Sequence, residues 1–294
     1  MSEDRRPLPL PGGVTRRPVV RYTSEGQLAP EEPDTIAIEE PLDIRISGDT
    51  LAVTMRTPGD DRFLVTGFLF AEGLLQSADD IGGLAHCGRP GEEGYGNIVE
   101  VTPAPGLVLD FEKVGATKRG TLTTAACGVC GRRSVEDLMA VCTRVPEGPE
   151  LPASVLARAT AHLRSLQPNF ARTGGVHAAA ALDAQGTVLA AFEDVGRHNA
   201  VDKVVGALVL QHGLRSARAS QPASLRPTVL VVSGRVSFEI IQKAAMARCP
   251  IVASVSAASS LAIDLAERAG VTLATFVRDG RFNLYTHPER IRPG

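Results

Sequence analysis

The stretch PTVLVVSGRVSFEIIQKAAMARCPIVASVSAASSLAIDLAERAGVTLATFV, Pro227 to Val277, alternates two kinds of apolar pattern. Thr228–Val232, Ile251–Ser254 and Thr272–Val277 are short, continuous and rich in β-branched residues, and each is bounded by turn residues, so they read as strands. Phe238–Ala247 and Leu261–Ala269 carry apolar residues at helical spacing. The same alternation extends upstream, with strands expected over Val176–Leu182 and Thr187–Phe192 and a helix over Ala200–Leu210. Strands alternating with helices predict an α/β fold, a mostly parallel sheet with helices on its faces. In such sheets ligands gather at the carboxyl ends of the strands.

Further toward the N-terminus the pattern becomes β-rich. Residues 35–47 and 50–56 read as a hairpin turning at Gly48-Asp49. Asp60 to Leu75 has helical spacing through Phe63, Leu64, Gly67, Phe68, Ala71 and Leu74. Gly82 to Gly96 holds six glycines and a proline and reads as a loop, followed by short strands over Asn97–Thr102 and Leu107–Phe111. A helix is expected from about Ser134, where Ser134 and Asp137 have capping spacing, and another over Ser154–Ser165. The division that results is a flexible arm over 1–17, a β-rich part over 18–115, and an α/β domain over 116–294, with regular structure beginning near Val19.

Composition narrows the function. The chain has 294 residues, 44% hydrophobic and 22% charged, with a formal net charge of −2, which argues against general nucleic-acid binding. Only 4% of residues are aromatic and Trp is absent, so base-stacking platforms are not expected. No run is long and apolar enough to span a membrane, and Met1 to Pro7 lacks the apolar core of a secretory signal. The sequence therefore predicts a cytoplasmic protein, whose thiols would be kept reduced.

Five cysteines are present, Cys87, Cys127, Cys130, Cys142 and Cys249. An odd number in a reducing compartment does not read as a disulfide framework. Cys127-Gly128-Val129-Cys130 is flanked by Lys118, Arg119, Arg132 and Arg133, and glycines punctuate it. Cations and a following helix N-terminus favour thiolate, the nucleophilic form of sulfur. The alternatives are weaker. A zinc site needs two further ligands, and Cys87, Cys142 and Cys249 are scattered singly. A zinc deaminase needs His-x-Glu ahead of Pro-Cys-x-x-Cys, but Ala126 precedes Cys127 and His287-Pro-Glu289 lies far downstream. A thioredoxin-type pair would open a helix in a βαβ unit, whereas this pair lies in a Gly/Thr-rich loop. No metal site is expected, and Cys142 and Cys249 read as buried small hydrophobes.

Two polar clusters stand out downstream. Glu193-Asp-Val-Gly-Arg-His-Asn-Ala-Val-Asp-Lys203 falls between a strand and a helix. Asn199 with Asp202 would suffice for a helix cap, but capping leaves Glu193, Asp194, Arg197, His198 and Lys203 unexplained. A helix N-terminus with Arg197, His198 and Lys203 beside it suits an anion. Ser233-Gly234-Arg235 and Ser256-Ala-Ala-Ser259-Ser260 follow successive strands and precede helices, as phosphate-cradling turns do, although Ser is also a common cap. Arg278-Asp279-Gly280-Arg281 follows the last expected strand; Asp279-Gly280 reads as a turn, and the flanking arginines suit phosphate.

Taken together, Glu39-Glu-Pro-Leu42, Met55-Arg-Thr-Pro-Gly-Asp60, Cys127-Gly-Val-Cys130, Thr173-Gly-Gly-Val-His177, Glu193 to Lys203, Ser233-Gly-Arg-Val-Ser-Phe-Glu239, Gln242-Lys-Ala244 and Ser259-Ser-Leu261 closely resemble the formate dehydrogenase accessory sulfur-carrier family, FdhD. The resemblance covers nearly the whole chain after the N-terminal arm. It implies a core similar to the cytidine deaminase fold, a mixed or parallel sheet flanked by helices, without the metal chemistry, and often a homodimer. It implies a sulfurtransferase that takes sulfur as a persulfide from a cysteine desulfurase. The acceptor would be the molybdenum or tungsten bis-guanine-dinucleotide cofactor, for formate dehydrogenase. On this resemblance Cys127 bears the persulfide, and Cys130 matches the second cysteine, whose role is assistance or resolution. Phe276, Val277, Arg278, Asp279, Gly280 and Arg281 match the stretch used for the cofactor. Ser233, Gly234, Arg235, Ser259, His177, Arg197, His198 and Lys203 complete the candidate binding set. Thr123-Thr-Ala-Ala126 is less Ser-rich than the family pattern. Two other readings compete: a non-catalytic chaperone for the molybdenum cofactor, and a small zinc-dependent regulator.

Overall fold

The structure is a computed structural model, and it describes residues 12–24, 26–89, 95–107, 109, 144–146, 148–216 and 227–293. Its centre is a six-stranded sheet. The strands are β8 (His177–Leu182), β9 (Val188–Asp194), β10 (Val229–Val232), β11 (Ile251–Ser254), β12 (Thr272–Arg278) and β13 (Arg281–Thr286), in the spatial order β13-β12-β11-β10-β8-β9. The strands β10, β11 and β12 are parallel, whereas β8, β9 and β13 run antiparallel to their neighbours. The sheet is thus mixed rather than mostly parallel. Short connections explain the difference: β12 and β13 are joined across Asp279-Gly280, and β8 and β9 across Asp183–Thr187, too few residues for a parallel crossover.

The continuous apolar runs follow from burial on both faces. Leu230 and Val232 point into one core and Val229 and Val231 into another. Helix α2 (Ala153–Ser165) covers the second face with Leu156, Ala159 and Leu163. A short helix, α3 (Pro168–Thr173), follows α2. The first face is covered by α4 (Arg197–His212), α5 (Phe238–Met246) and α6 (Ser260–Ala269).

Against the outer side of α4 lies α1 (Asp61–Ala71), which ends before the expected limit at Leu75. The strands β3 (Glu40–Ile46), β4 (Asp49–Arg56), β5 (Ile81–His86) and β6 (Ile98–Pro103) form a four-stranded sheet in the order β4-β3-β6-β5. Leu42, Ile44, Val99 and Val101 of that sheet belong to the same apolar core as α1, α4 and α5. The β3–β4 turn is Ser47-Gly48, both at positive φ, one residue earlier than Gly48-Asp49. The Gly82–Gly96 loop expectation fails over Ile81–His86, because β5 pairs with β6 through its backbone despite Gly82 and Gly83. Among the described residues, regular structure starts at Val14, where β1 (Val14–Val19) pairs with β2 (Glu32–Ala37). The strand expected over 107–111, the helix from Ser134, the boundary near residue 115 and the arm before residue 12 fall wholly or partly outside the described residues. Two-residue strands β7 (Leu151–Pro152) and β14 (Ile291–Arg292) pair in parallel.

Candidate functional site

The parallel strands β10, β11 and β12 all end at one edge of the large sheet. Since β8 runs the other way, its first residue, His177, stands at that edge, paired with Asp194 at the end of β9. The edge therefore collects His177, the β9–α4 turn, Ser233-Gly234-Arg235, the turn after β11, and the β12–β13 hairpin.

The β9–α4 turn is built around Asp194, which is fully buried. Its carboxylate accepts from the backbone N–H groups of Gly196 (2.8 Å) and Thr57 (3.2 Å) and from the Asn199 amide (3.0 Å). It also pairs with Lys203 Nζ at 2.8 Å. Lys203 Nζ donates in turn to the carbonyl of Thr57 at 3.0 Å, and Asn199 donates to the carbonyl of Met55 at 2.7 Å. The segment after β4 is thereby stapled to the start of α4. Asn199 and Asp202 do not cap that helix, whose N-cap is Gly196 with no side-chain cap bond. Their polar groups are consumed by tertiary contacts instead.

Above this scaffold sits a cationic cluster. A Cβ built on Gly234 would lie 3.1 Å from His177 Nδ1 and 3.5 Å from Arg197 Cδ, so both side chains lean on a backbone that only glycine leaves open. Arg197 Nε is buried and has no hydrogen-bond partner among the described residues. Burial pushes the His177 pKa below its ordinary 6.5, and the positive charges of Arg197 and His198 push it further down against Asp194. The turns are tied together: Ser233 Oγ accepts from Ala178 N–H at 2.9 Å, Ser254 Oγ donates to the Gly234 carbonyl at 2.7 Å, and Phe276 N–H donates to the Ser256 carbonyl at 3.3 Å.

Below the cluster, α4 and α5 are joined by two buried charge pairs. His198 Nε2 lies 2.7 Å from Glu239 Oε2 and 3.0 Å from Ser237 Oγ. One helical turn further, Asp202 meets Lys243 Nζ at 2.6 Å. Burial alone would raise the Glu239 pKa, but the hydrogen bond and charge of His198 outweigh it and hold it below 4.5. For Asp202 burial prevails over the pull of Lys243, and its pKa is pushed up to about 6.

The candidate residues separate by position. His177, Arg197, Ser233, Gly234 and Arg235 come together at the edge. Ser259 is an N-cap, accepting from Ala262 N–H at 3.3 Å, so the bland capping reading describes its side chain. Phe276, Arg278, Asp279, Gly280 and Arg281 are exposed on the β12–β13 hairpin, with Asp279-Gly280 as its turn, while Val277 is buried. His198 and Lys203 are turned into the protein; Lys203 retains 2% side-chain exposure and is a scaffold group. Cys127 and Cys130 lie outside the described residues. Cys249 is buried and its thiol is pushed up to about 12 by burial, which leaves it inert, as expected of a small hydrophobe. Ser237, Glu239, Lys243 and Thr57 lie in stretches that carry the family resemblance, but the sequence reading assigns none of them a place in the site. The available signal was the matched i, i+4 spacing of His198/Asp202 and Glu239/Lys243 within otherwise apolar helices. Among the described residues no cluster of metal-ligating side chains occurs, and no helix is long and apolar enough to cross a membrane.

Residues 37–292 match the model of the FdhD/NarQ family. The chain belongs to that family. The match takes in the six-stranded and four-stranded sheets, the scaffold around Asp194 and the cationic edge. Among proteins of this family, the chain is 53% identical over 282 residues to the "Sulfur carrier protein FdhD" of Anaeromyxobacter dehalogenans (strain 2CP-C), covering 95% of this chain and 94% of that one. It is 43% identical over 288 residues to the "Sulfur carrier protein FdhD" of Mycobacterium tuberculosis, covering 95% and 99%. The fold is similar to a crystal structure titled a putative formate dehydrogenase accessory protein from Desulfotalea psychrophila. That TM-score is 0.70 at 24% identity, over 95% of this chain and 99% of that one.

Proposed function

We propose that this chain is a sulfur carrier and sulfurtransferase in formate dehydrogenase maturation. The observation that carries the reading is the anion-suited edge formed by His177, Arg197 and the Ser233–Arg235 turn, in a chain 53% identical to a named sulfur carrier protein. In this reading the Cys127 thiolate attacks the outer sulfur of a persulfide held by a cysteine desulfurase. The donor S–S bond breaks, the donor cysteine leaves as thiolate, and a new S–S bond forms on Cys127. No oxidant or reductant is needed. Cys130 assists.

The acceptor is the molybdenum or tungsten bis-guanine-dinucleotide cofactor, bound as substrate. Its phosphates would lie with Arg197, His177, Arg235 and the hairpin arginines Arg278 and Arg281. The Arg197 guanidinium fits such a group, because its buried Nε has no acceptor among the described residues and a bound anion would offset that cost. The same reading includes a cytidine deaminase-like core, a homodimer, and action in the cytoplasm on formate dehydrogenase as client.

The test is loading with a cysteine desulfurase and cysteine, followed by mass spectrometry. The expected result is one added sulfur on Cys127 that is absent from Cys127→Ala. Equal loading of the variant, or none in the parent protein, would overturn the sulfur-carrier reading. Full formate dehydrogenase activity in cells carrying only Cys127→Ala would favour the non-catalytic chaperone.

A further inference from the structure

Among the described residues, His177 stands at the cationic edge without an ion pair. His177 is half-buried at the start of β8, with its ring against Gly234, the same glycine that the Arg197 side chain approaches. The charged and titratable groups facing it are Arg197 and His198 from α4, Arg235 from the turn after β10, and Asp194 from β9. Asp194 is already engaged by Lys203, Asn199 and two backbone N–H groups, so it has little left to offer a second cation. His198 has Glu239 as its own partner. Among the described residues, His177 is left near two arginines with no carboxylate of its own.

We infer that His177 sets the charge specificity of this edge: it is neutral in the free protein and takes up a proton when a multiply charged phosphate group binds against Arg197. The inference rests on the anion-binding part of the proposed function and adds a proton to it. The physical reason is charge balance. In the free protein a proton on His177 would add positive charge beside two guanidinium groups and bury it in part. This is why its pKa is depressed. A phosphate or pyrophosphate placed against the Arg197 guanidinium reverses the local sign, and the imidazolium then gains a partner and a hydrogen-bond acceptor. The ring nitrogen donates its new proton to a phosphate oxygen; no bond other than that N–H forms, and the proton comes from solvent. Linkage requires the reciprocal effect, so the phosphate ligand binds more tightly as pH falls toward the His177 pKa of the complex. A neutral ligand gains nothing from the proton. The edge therefore selects for pyrophosphate-type groups over uncharged portions of the same molecule.

The experiment is a proton NMR titration of the histidine C2–H resonances in the full chain, with and without inorganic pyrophosphate. The chain has 6 histidines, and His177→Gln assigns the resonance. The expected result is a His177 pKa below 6.5 in the free protein. Pyrophosphate should raise it by about one unit, equivalent to about tenfold tighter binding at the acid end. His177→Gln should still bind pyrophosphate, with an affinity that no longer rises on acidification through this range. Arg197→Gln should raise the free His177 pKa and weaken binding, a readout independent of how well His177→Gln folds. A His177 pKa unmoved by bound pyrophosphate overturns the inference while leaving the sulfur-carrier reading intact. Absence of pyrophosphate binding overturns the inference and the phosphate seat together, and persulfide formation on Cys127 remains a separate measurement.

Discussion

Gly67 of α1 and Gly206 of α4 face each other where the two helices cross. A Cβ on Gly67 would lie 1.9 Å from the Asp202 carbonyl oxygen, and one on Gly206 would lie 1.9 Å from the Phe63 carbonyl oxygen. Backbone, not side chain, fills the space on each side. This contact docks the N-terminal region onto α4, whose first turn carries Arg197 and His198. Gly67→Ala or Gly206→Ala must push the helices apart. The expected loss is about 3 kcal/mol or more, at the upper end for overpacking, read as a lower denaturant midpoint. An unchanged midpoint would mean that the helices separate without cost.

The Asp202–Lys243 pair is buried between α4 and α5, with side-chain exposures of 4% and 8%. Removing one partner leaves the other charge stranded. Asp202→Ala is expected to destabilise by about 3–5 kcal/mol, and Asp202→Leu with Lys243→Met together by less than either change alone. A double-mutant cycle in urea checks this, and additive losses would show that the two groups are not coupled.

Acid should weaken the α4–α5 seam through Glu239. Its pKa in the folded protein is below 4.5, so on acidification the unfolded chain binds the proton first. The contribution is whole above the unfolded value and lost as pH falls through the folded one. Asp202 acts with opposite sign. Its folded value of about 6 exceeds the ordinary 3.8, so its contribution is whole below the ordinary value and lost as pH rises through the folded one. The stability gap between the parent protein and Glu239→Gln should therefore narrow as pH falls, while the gap for Asp202→Asn should shift between about pH 4 and 6 in the other direction. Unfolding midpoints measured across pH decide this; parallel curves for all three proteins would refute it.

Scaffold and site should be separable by mutation. Lys203→Met strands the buried Asp194 carboxylate and should cost about 3–5 kcal/mol of stability. Arg197→Gln removes a group whose Nε has no partner among the described residues and should cost under about 1 kcal/mol. The binding consequence is reversed: Arg197→Gln should lose pyrophosphate affinity at unchanged folding, seen by calorimetry beside a thermal scan. Retained affinity in Arg197→Gln would remove Arg197 from the ligand seat.

By itself the sequence determined the strands and helices from His177 to Arg278, because each is a short run with one dominant period and clear punctuation. It also marked the density of polar groups between Glu193 and Lys203, since local spacing alone makes that cluster improbable as a cap. Only the tertiary structure decided what each of those groups does. Lys203, Asn199 and Asp202 read like Arg197 and His177 in one dimension, yet the first three spend their charge or hydrogen bonds on Asp194, Met55 and Lys243. The partners lie far away in sequence, so no local pattern specifies them. The glycine-rich strand β5 and the Gly67–Gly206 crossing were hidden for a related reason: both depend on the close approach of another backbone, which leaves no periodic trace in the segment itself.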